Sequence, residues 1–217
     1  MNNDGIKAVA LDVDGTLIDS SVWKALHALF GVTSEEDEHL NSMYMSGSLT
    51  FRGVTDEMAK YYLRKNPKPT KADIDAVLAN FRFVPEAEEV VRALGERYYL
   101  ALVSSGFSDY VFQIAEMLGI PHAYAFTAVA YSADGRFAGI SYNEPGNELE
   151  AKVNALKKFG TKVGAKPEEI VFVGDSINDL AAFRHTGHGI LVGDSTEELG
   201  SAAWKRVDAL PEVLAIL

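Results

Sequence analysis

The sequence predicts an α/β protein: a doubly wound parallel sheet with an inserted small helical bundle and a β-hairpin. Three observations predict it. Four short apolar runs, KAVALDVDG (7–15), YYLALVSSG (98–106), EIVFVGDS (169–176) and HGILVGDS (188–195), each end in a polar or glycine-rich turn. Near-continuous apolar strands of this kind suit a parallel sheet covered on both faces. Helical patterns lie between the later runs, so strand and helix alternate. The interval from Ser21 to about Val84 carries helical patterns and no strand signal.

The elements follow in order. After the first strand come SVWKALHALFG, TSEEDEHLNSMYM with a capping box at Thr33 and Glu36, TFRGVTDEMAKYYLRKN, and TKADIDAVLANF with Thr70 and Asp73 placed to cap. Pro67 and Pro69 mark a loop among them. These residues, 20–83, are expected to form a small helical bundle inserted in a core made of 1–19 and 84–217. An insertion after the first strand stands over the carboxyl ends of the strands, where open α/β sheets bind ligands. Pro85 is expected to open the helix PEAEEVVRALGERY, and Ser108 or Asp109 to cap DYVFQIAEMLG before Gly119. Residues 125–142 read as two extended runs about an Asp134-Gly135 turn. Ala151 to Phe159 has helical spacing, and Ser195 with Glu198 forms a capping-box pattern.

Composition narrows the function. The chain of 217 residues is 47% hydrophobic and 24% charged, as a globular protein is. Lys plus Arg at 20 against Asp plus Glu at 31 gives −11, which argues against a nucleic-acid or anionic-membrane partner. There are no cysteines, so disulfides, thiolate metal sites and cysteine nucleophiles are excluded. No leader pattern and no run near 18 apolar residues is present, and a cytoplasmic location is expected.

The polar clusters lie just after expected strands: Asp12 and Asp14, then Ser104-Ser105-Gly106, then Asp175 with Asn178 and Asp179. Asp12 and Asp14, two apart in extended chain, face a common space. At about 5 Å and an effective dielectric of about 20 they repel by about 3 kcal/mol. Acids gathered at the converging strand ends are explained by a hard divalent cation, Mg²⁺ being favoured by an all-oxygen shell. Each cluster alone also reads as a cap or turn. Ser104 and Ser105 suit a turn and helix start, or a hydroxyl and free N–H groups that hold a phosphate. Lys152 reads as a solvated helix lysine, or as the cation that admits an anionic substrate to an acidic site. GDSTEEL (193–199) echoes GDSINDL (174–180) and reads as structural, and His185-Thr186-Gly187-His188 reads as a helix end and loop. No dinucleotide or P-loop string occurs.

DVDGT (12–16), SSG (104–106), Lys152 and GDSIND (174–179), in that order, resemble the four motifs of the haloacid dehalogenase-like hydrolases. VSSGFSDYVFQIAEMLGI and the hairpin carrying DGRFAG resemble the phosphoserine phosphatase branch. The resemblance implies an Asp12 nucleophile that becomes an aspartyl phosphate and an Asp14 general acid and base. It implies Mg²⁺ on Asp12, the carbonyl of Asp14 and Asp175, with Asp179 beside them. Ser104, Ser105 and Lys152 would bind phosphoryl oxygens, and Asn178 would position the metal, Lys152 or substrate. Met45 and Phe51 fit the family's apolar cap contacts.

The branch usually has a serine where Gly15 stands, a substrate-binding glutamate where Ser21 stands, and an arginine where Met58 stands. Losing both charged partners implies a small phosphorylated metabolite other than phosphoserine, because a site without a partner for a buried charge rejects that charge. Arg52 or Arg64 in a carboxylate contact keeps phosphoserine open. A phosphotransferase such as a sugar phosphomutase, and a phospho-ligand binder without catalysis, are the other readings.

Overall fold

The computed structural model describes residues 5–19 and 21–217, without the side chains of 21 and 45. The strands are β1 (Ala8–Leu11), β2 (Tyr99–Phe107), β3 (His122–Tyr131), β4 (Phe137–Tyr142), β5 (Ile170–Gly174), β6 (Gly189–Val192) and β7 (Lys205–Val207). Across the described residues they form one sheet in the order β4-β3-β2-β1-β5-β6-β7. All neighbours are parallel except β3 and β4, the two arms of the expected hairpin. From β1 the chain reaches β2 on one side and later β5 on the other, so the carboxyl end of β1 is the topological switch point where such sheets bind ligands.

Every residue of β1 is fully buried, which explains its unbroken apolar run. Its alternate side chains enter two cores. Ala8 and Ala10 pack with Phe172 of β5, Leu156 and Phe159 of one helix and Phe183 of another. Val9 and Leu11 pack with Val171, Val91, Val111 and Val213 on the opposite face.

The helices are α1 (Ser21–Phe30), α2 (Ser34–Met45), α3 (Phe51–Leu63), α4 (Lys71–Leu78), α5 (Ala87–Gly95), α6 (Ser108–Met117), α7 (Glu148–Val163), α8 (Leu180–Thr186), α9 (Glu197–Ala202) and α10 (Val213–Ile216). Thr33 with Glu36 and Thr70 with Asp73 form capping boxes on α2 and α4. A third box, Asn147 with Glu150, starts α7 three residues before the apolar spacing becomes visible. No described helix is long and apolar enough to cross a membrane.

Several local expectations are corrected. The α5 helix does not open on Pro85: Glu86 turns through a left-handed conformation (φ 61°) and the helix begins at Ala87. Neither Ser108 nor Asp109 caps α6, which follows Phe107 without a side-chain cap; Asp109 instead accepts from the backbone N–H of Val129. The cap of α9 is Thr196, whose hydroxyl accepts from Leu199 N, so Ser195 and Glu198 make no box. The first strand ends at Leu11, before the acids, and Ser104, Ser105 and Gly106 lie within β2 at an irregularity in its pairing with β3.

Candidate active site

Lys152 is the centre of the site. It projects from the buried face of α7, shared with Ala151, Ala155, Leu156 and Phe159, and is 1% exposed. Its ammonium donates to Asp12 Oδ2 (2.9 Å), Asn178 Oδ1 (2.8 Å) and Asp179 Oδ1 (2.5 Å). An ammonium has three protons, and all three are used. Burial favours the neutral amine, but the Asp12 and Asp179 charges outweigh it and hold Lys152 above its ordinary pKa.

Asp12 follows β1 directly and is 3% exposed; Oδ1 accepts from the backbone N–H of Val13 at 2.8 Å. Burial pushes its carboxyl well up, Lys152 pulls it down, and Asp179 and Asp175 push it up again. Asp175, after β5, is pushed up to about 7 by burial and by Asp179, with Lys152 opposing. Thr16 donates to its Oδ1 at 3.2 Å. Gly15 makes this approach possible: it has φ +83°, and a Cβ there would lie 2.2 Å from Asp175 Oδ2.

Asp12, Asp175 and Asp179 each offer an oxygen within 4.8 Å of the other two. Three carboxylates against one ammonium leave two negative charges, so a divalent cation balances the cluster, and an all-oxygen donor set suits a hard one. The three acids are not equivalent. Asp179 is fully buried, and while Oδ1 takes Lys152, Oδ2 accepts from the backbone N–H of Asp175 (3.0 Å) and Ser176 (3.1 Å). It holds the turn that carries Asp175 and fixes Lys152.

Asp14 is not one of the three carboxylates that meet within 4.8 Å, but it lines the same cavity as Asp12 and Asp175. Its Oδ2 accepts from Tyr110 Oη at 2.5 Å. Burial raises Asp14, and the Tyr110 hydrogen bond and the Lys152 charge oppose that rise. The acids that weigh most on Asp12 are thus Asp179 and Asp175.

Ser104 and Ser105 are buried. The Gly106 N–H, expected to be free for a phosphate, donates to Ser104 Oγ at 2.9 Å, which leaves the serine hydroxyl proton to donate. Ser105 Oγ has no partner among the described residues.

These groups open on a cavity of about 360 Å³. Asp12, Asp14, Ser104, Ser105, Asp175 and Asn178 line one side; Trp23, His27, Asp37, Tyr44, Phe51, Thr55 and Met58 line the other. Arg52, expected as a substrate contact, is not in the lining: its guanidinium lies over the Tyr142 ring at 4.1 Å and donates to Gly146 O at 3.1 Å. Arg64 donates to Glu36 at 2.6 Å and lies over Tyr61. The side chains of Met45 and Ser21 lie outside the described residues.

Trp23, His27, Asp37 and Tyr110 were not singled out by their sequence, since each sits in an amphipathic helical pattern that reads as core or surface. Glu148 is another, one turn before Lys152 and 4% exposed. Its carboxyl meets the Tyr44 hydroxyl and the backbone N–H of Phe51, joining α7 to the helices above it.

A family model described as haloacid dehalogenase-like hydrolase matches residues 6–187. A curated relative, the phosphoserine phosphatase of Streptococcus thermophilus, is 31% identical over 84% of this chain and 81% of its own. That of Archaeoglobus fulgidus is 28% identical over 85% of this chain, which spans only 52% of that relative's length. A solved phospho-aspartyl intermediate analogue of phosphoserine phosphatase superimposes with a TM-score of 0.84 at 25% identity, covering 98% of this chain and 99% of that one.

Proposed function

The chain belongs to the haloacid dehalogenase-like hydrolases, as a phosphatase of their phosphoserine phosphatase-like branch, and from that premise we propose that it is a Mg²⁺-dependent cytoplasmic enzyme hydrolysing a small phosphomonoester other than phosphoserine through an aspartyl phosphate on Asp12. The observation that carries the reaction is the buried Lys152-centred cluster, whose Asp12, Asp175 and Asn178 reach the cavity. Asp12 and Asp175 with the carbonyl of Asp14 would hold the cation, and Asp179 would keep Asp175 and Lys152 in place. When bound, Mg²⁺ supplies positive charge that a phosphate dianion needs to enter among carboxylates.

Lys152 and the Val13 N–H fix both oxygens of Asp12, which lowers the entropic cost of bringing the nucleophile to phosphorus. The Ser104 hydroxyl and the Lys152 ammonium neutralise charge on the phosphoryl oxygens, with Ser105 and Asn178 beside them. Asp14 gives its proton to the leaving oxygen and then takes one from the water that releases the phosphate. Residues 20–83 serve as the cap that supplies the far wall.

The altered substrate is supported by that wall. No described lysine or arginine side chain lines it, and it carries Asp37 instead, so a carboxylate there would be buried without a permanently charged partner. Similarity to proteins named phosphoserine phosphatase favours the second reading, true phosphoserine phosphatase. A panel of phosphate esters assayed with Mg²⁺ separates the two. Phosphate release from esters of uncharged alcohols, exceeding release from phosphoserine and lost in Asp12→Asn, is expected. Efficient turnover of phosphoserine alone overturns the altered specificity, and activity unchanged in Asp12→Asn overturns the mechanism.

A further inference from the structure

We infer that Tyr110 is a positioning residue for Asp14: it occupies Oδ2, so that Oδ1 carries the proton exchanged with the leaving group. The inference rests on the phosphatase reading above and adds a residue to it.

Three elements are fitted to make the contact. Tyr110 is on the first turn of α6 and fully buried, and its hydroxyl donates to Asp14 Oδ2 at 2.5 Å. The line between them passes Gly106 at the end of β2, where a Cβ would lie 1.9 Å from Tyr110 Oη and 2.9 Å from Asp14 Oδ2. A side chain at 106 would therefore push the phenol away. The other oxygen, Asp14 Oδ1, is buried with no hydrogen bond of normal geometry among the described residues; Trp23 and Ser104 are the other side chains that donate toward this carboxyl, and Asp14 itself lines the cavity. Such an orphaned buried acceptor calls for an explanation, and exchange of a proton with substrate supplies one.

The chemistry then has one direction. A phenol O–H donating into Oδ2 leaves Oδ1 as the oxygen that bears the carboxyl's own proton. In the first step a bond forms between an Asp12 oxygen and phosphorus as the ester P–O bond breaks. The Oδ1 proton passes to the departing oxygen, which leaves as an alcohol, and the Asp14 carboxylate keeps the Tyr110 hydrogen bond. In the second step water oxygen bonds to phosphorus, the Asp12–phosphorus bond breaks, Oδ1 takes the water proton and phosphate is released.

The test compares two leaving groups in single-turnover assays with Mg²⁺, glycerol 2-phosphate and p-nitrophenyl phosphate, on the wild type and Tyr110→Phe. An alkoxide needs a proton to leave and p-nitrophenolate scarcely does. General acid catalysis supplies about 10² to 10⁴ in rate, so its partial misplacement in Tyr110→Phe is expected to slow alcohol release about 10- to 100-fold. Release of p-nitrophenol is expected to change less than about 3-fold, the transition state there drawing little on the acid. The ratio of the two losses cancels any drop in the amount of folded protein. In an Asp14→Asn background the same tyrosine substitution is expected to have no further effect on the ratio. If wild type is active and Tyr110→Phe lowers both rates by one factor, or neither, the positioning role falls alone. If wild type releases phosphate from neither of these nor from any ester of the panel, phosphoserine included, the phosphatase reading falls and takes this role with it.

Discussion

The two walls of the cavity are built on opposite terms. On the sheet side, Lys152, Asp12, Asn178 and Asp179 form a closed set in which each ammonium proton has an assigned acceptor and each Asp179 oxygen an assigned donor. On the helical side, Trp23, Tyr44, Phe51 and Met58 stand with Asn41, Thr55 and the pair His27 and Asp37, Nδ1 of the one 3.0 Å from Oδ1 of the other. Burial holds that imidazole below its ordinary pKa, against the pull of Asp37. The first wall leaves no freedom to any of its members, and the second fixes shape while leaving charge choice open. Reaction type therefore belongs to the sheet wall, and substrate choice to the helices.

The comparison breaks first at Lys152. Lys152→Met keeps most of the volume and leaves Asp12, Asp175 and Asp179 facing one another without a cation. Removing one partner of a buried ionic set costs about 3–5 kcal/mol, so urea unfolding without metal at pH 7 is expected to show a loss of that size. The loss should shrink at low pH, as the acids protonate and stop repelling. A substitution on the helical wall is expected to do neither. Equal losses for Lys152→Met at pH 4 and pH 7 would mean that the cluster is held by packing rather than charge.

The legibility of the two walls in the sequence differs for the same reason. Strand ends are local: an apolar run stops and a polar residue follows, so Asp12, Ser104 and Asp175 could be read one motif at a time. The helical wall is assembled from positions that look like core. The same concealment holds behind the sheet wall, where Tyr110 stands next to Val111 and near Ile114 in α6, and nothing in that spacing tells that its hydroxyl meets Asp14. Arg52 differs in the opposite way: a cation among these helices reads as a substrate contact, and its guanidinium lies on Tyr142 and Gly146. Strand β7, Lys205–Val207, is three residues with two charges and carries no apolar signal. Helix starts were readable where a threonine met an acid three residues on, and failed at α6, which starts without any side-chain cap.

Metal and proton compete for the sheet wall, which sharpens the contrast. Asp175 rises from an ordinary 3.8 to about 7 through burial and the charge of Asp179. A carboxyl raised on folding stabilises the protein fully below its unfolded pKa and ceases to do so as pH climbs through the folded value. The metal-free protein is therefore expected to lose thermal stability between about pH 4 and about pH 7 on this account. Mg²⁺ binds the deprotonated form, so its stabilising increment should grow over the same interval, to about 2.7 kcal/mol at a hundredfold excess over Kd. Thermal melting with EDTA and with Mg²⁺ at stepped pH measures both. An increment that stays flat across that range would detach Asp175 from the cation.

The smallest expected effect tests the helical wall alone. Phe51 begins α3, lines the cavity and packs its ring 6.2 Å from Tyr44 and 6.3 Å from Phe126. It touches none of the charged groups of the sheet wall by hydrogen bond or ion pair, so Phe51→Ala removes apolar surface from the substrate and leaves the nucleophile, acid and Lys152 unchanged. Lost apolar contact of this kind is worth about 1–3 kcal/mol. Because that contact is made equally to substrate and transition state, the loss should appear in KM, raised about 10-fold, with kcat within about 2-fold. Steady-state kinetics on the best ester of the panel reads the split. A fall in kcat instead would show that the helices align the reacting atoms as well as select them, and the division between the two walls would no longer hold.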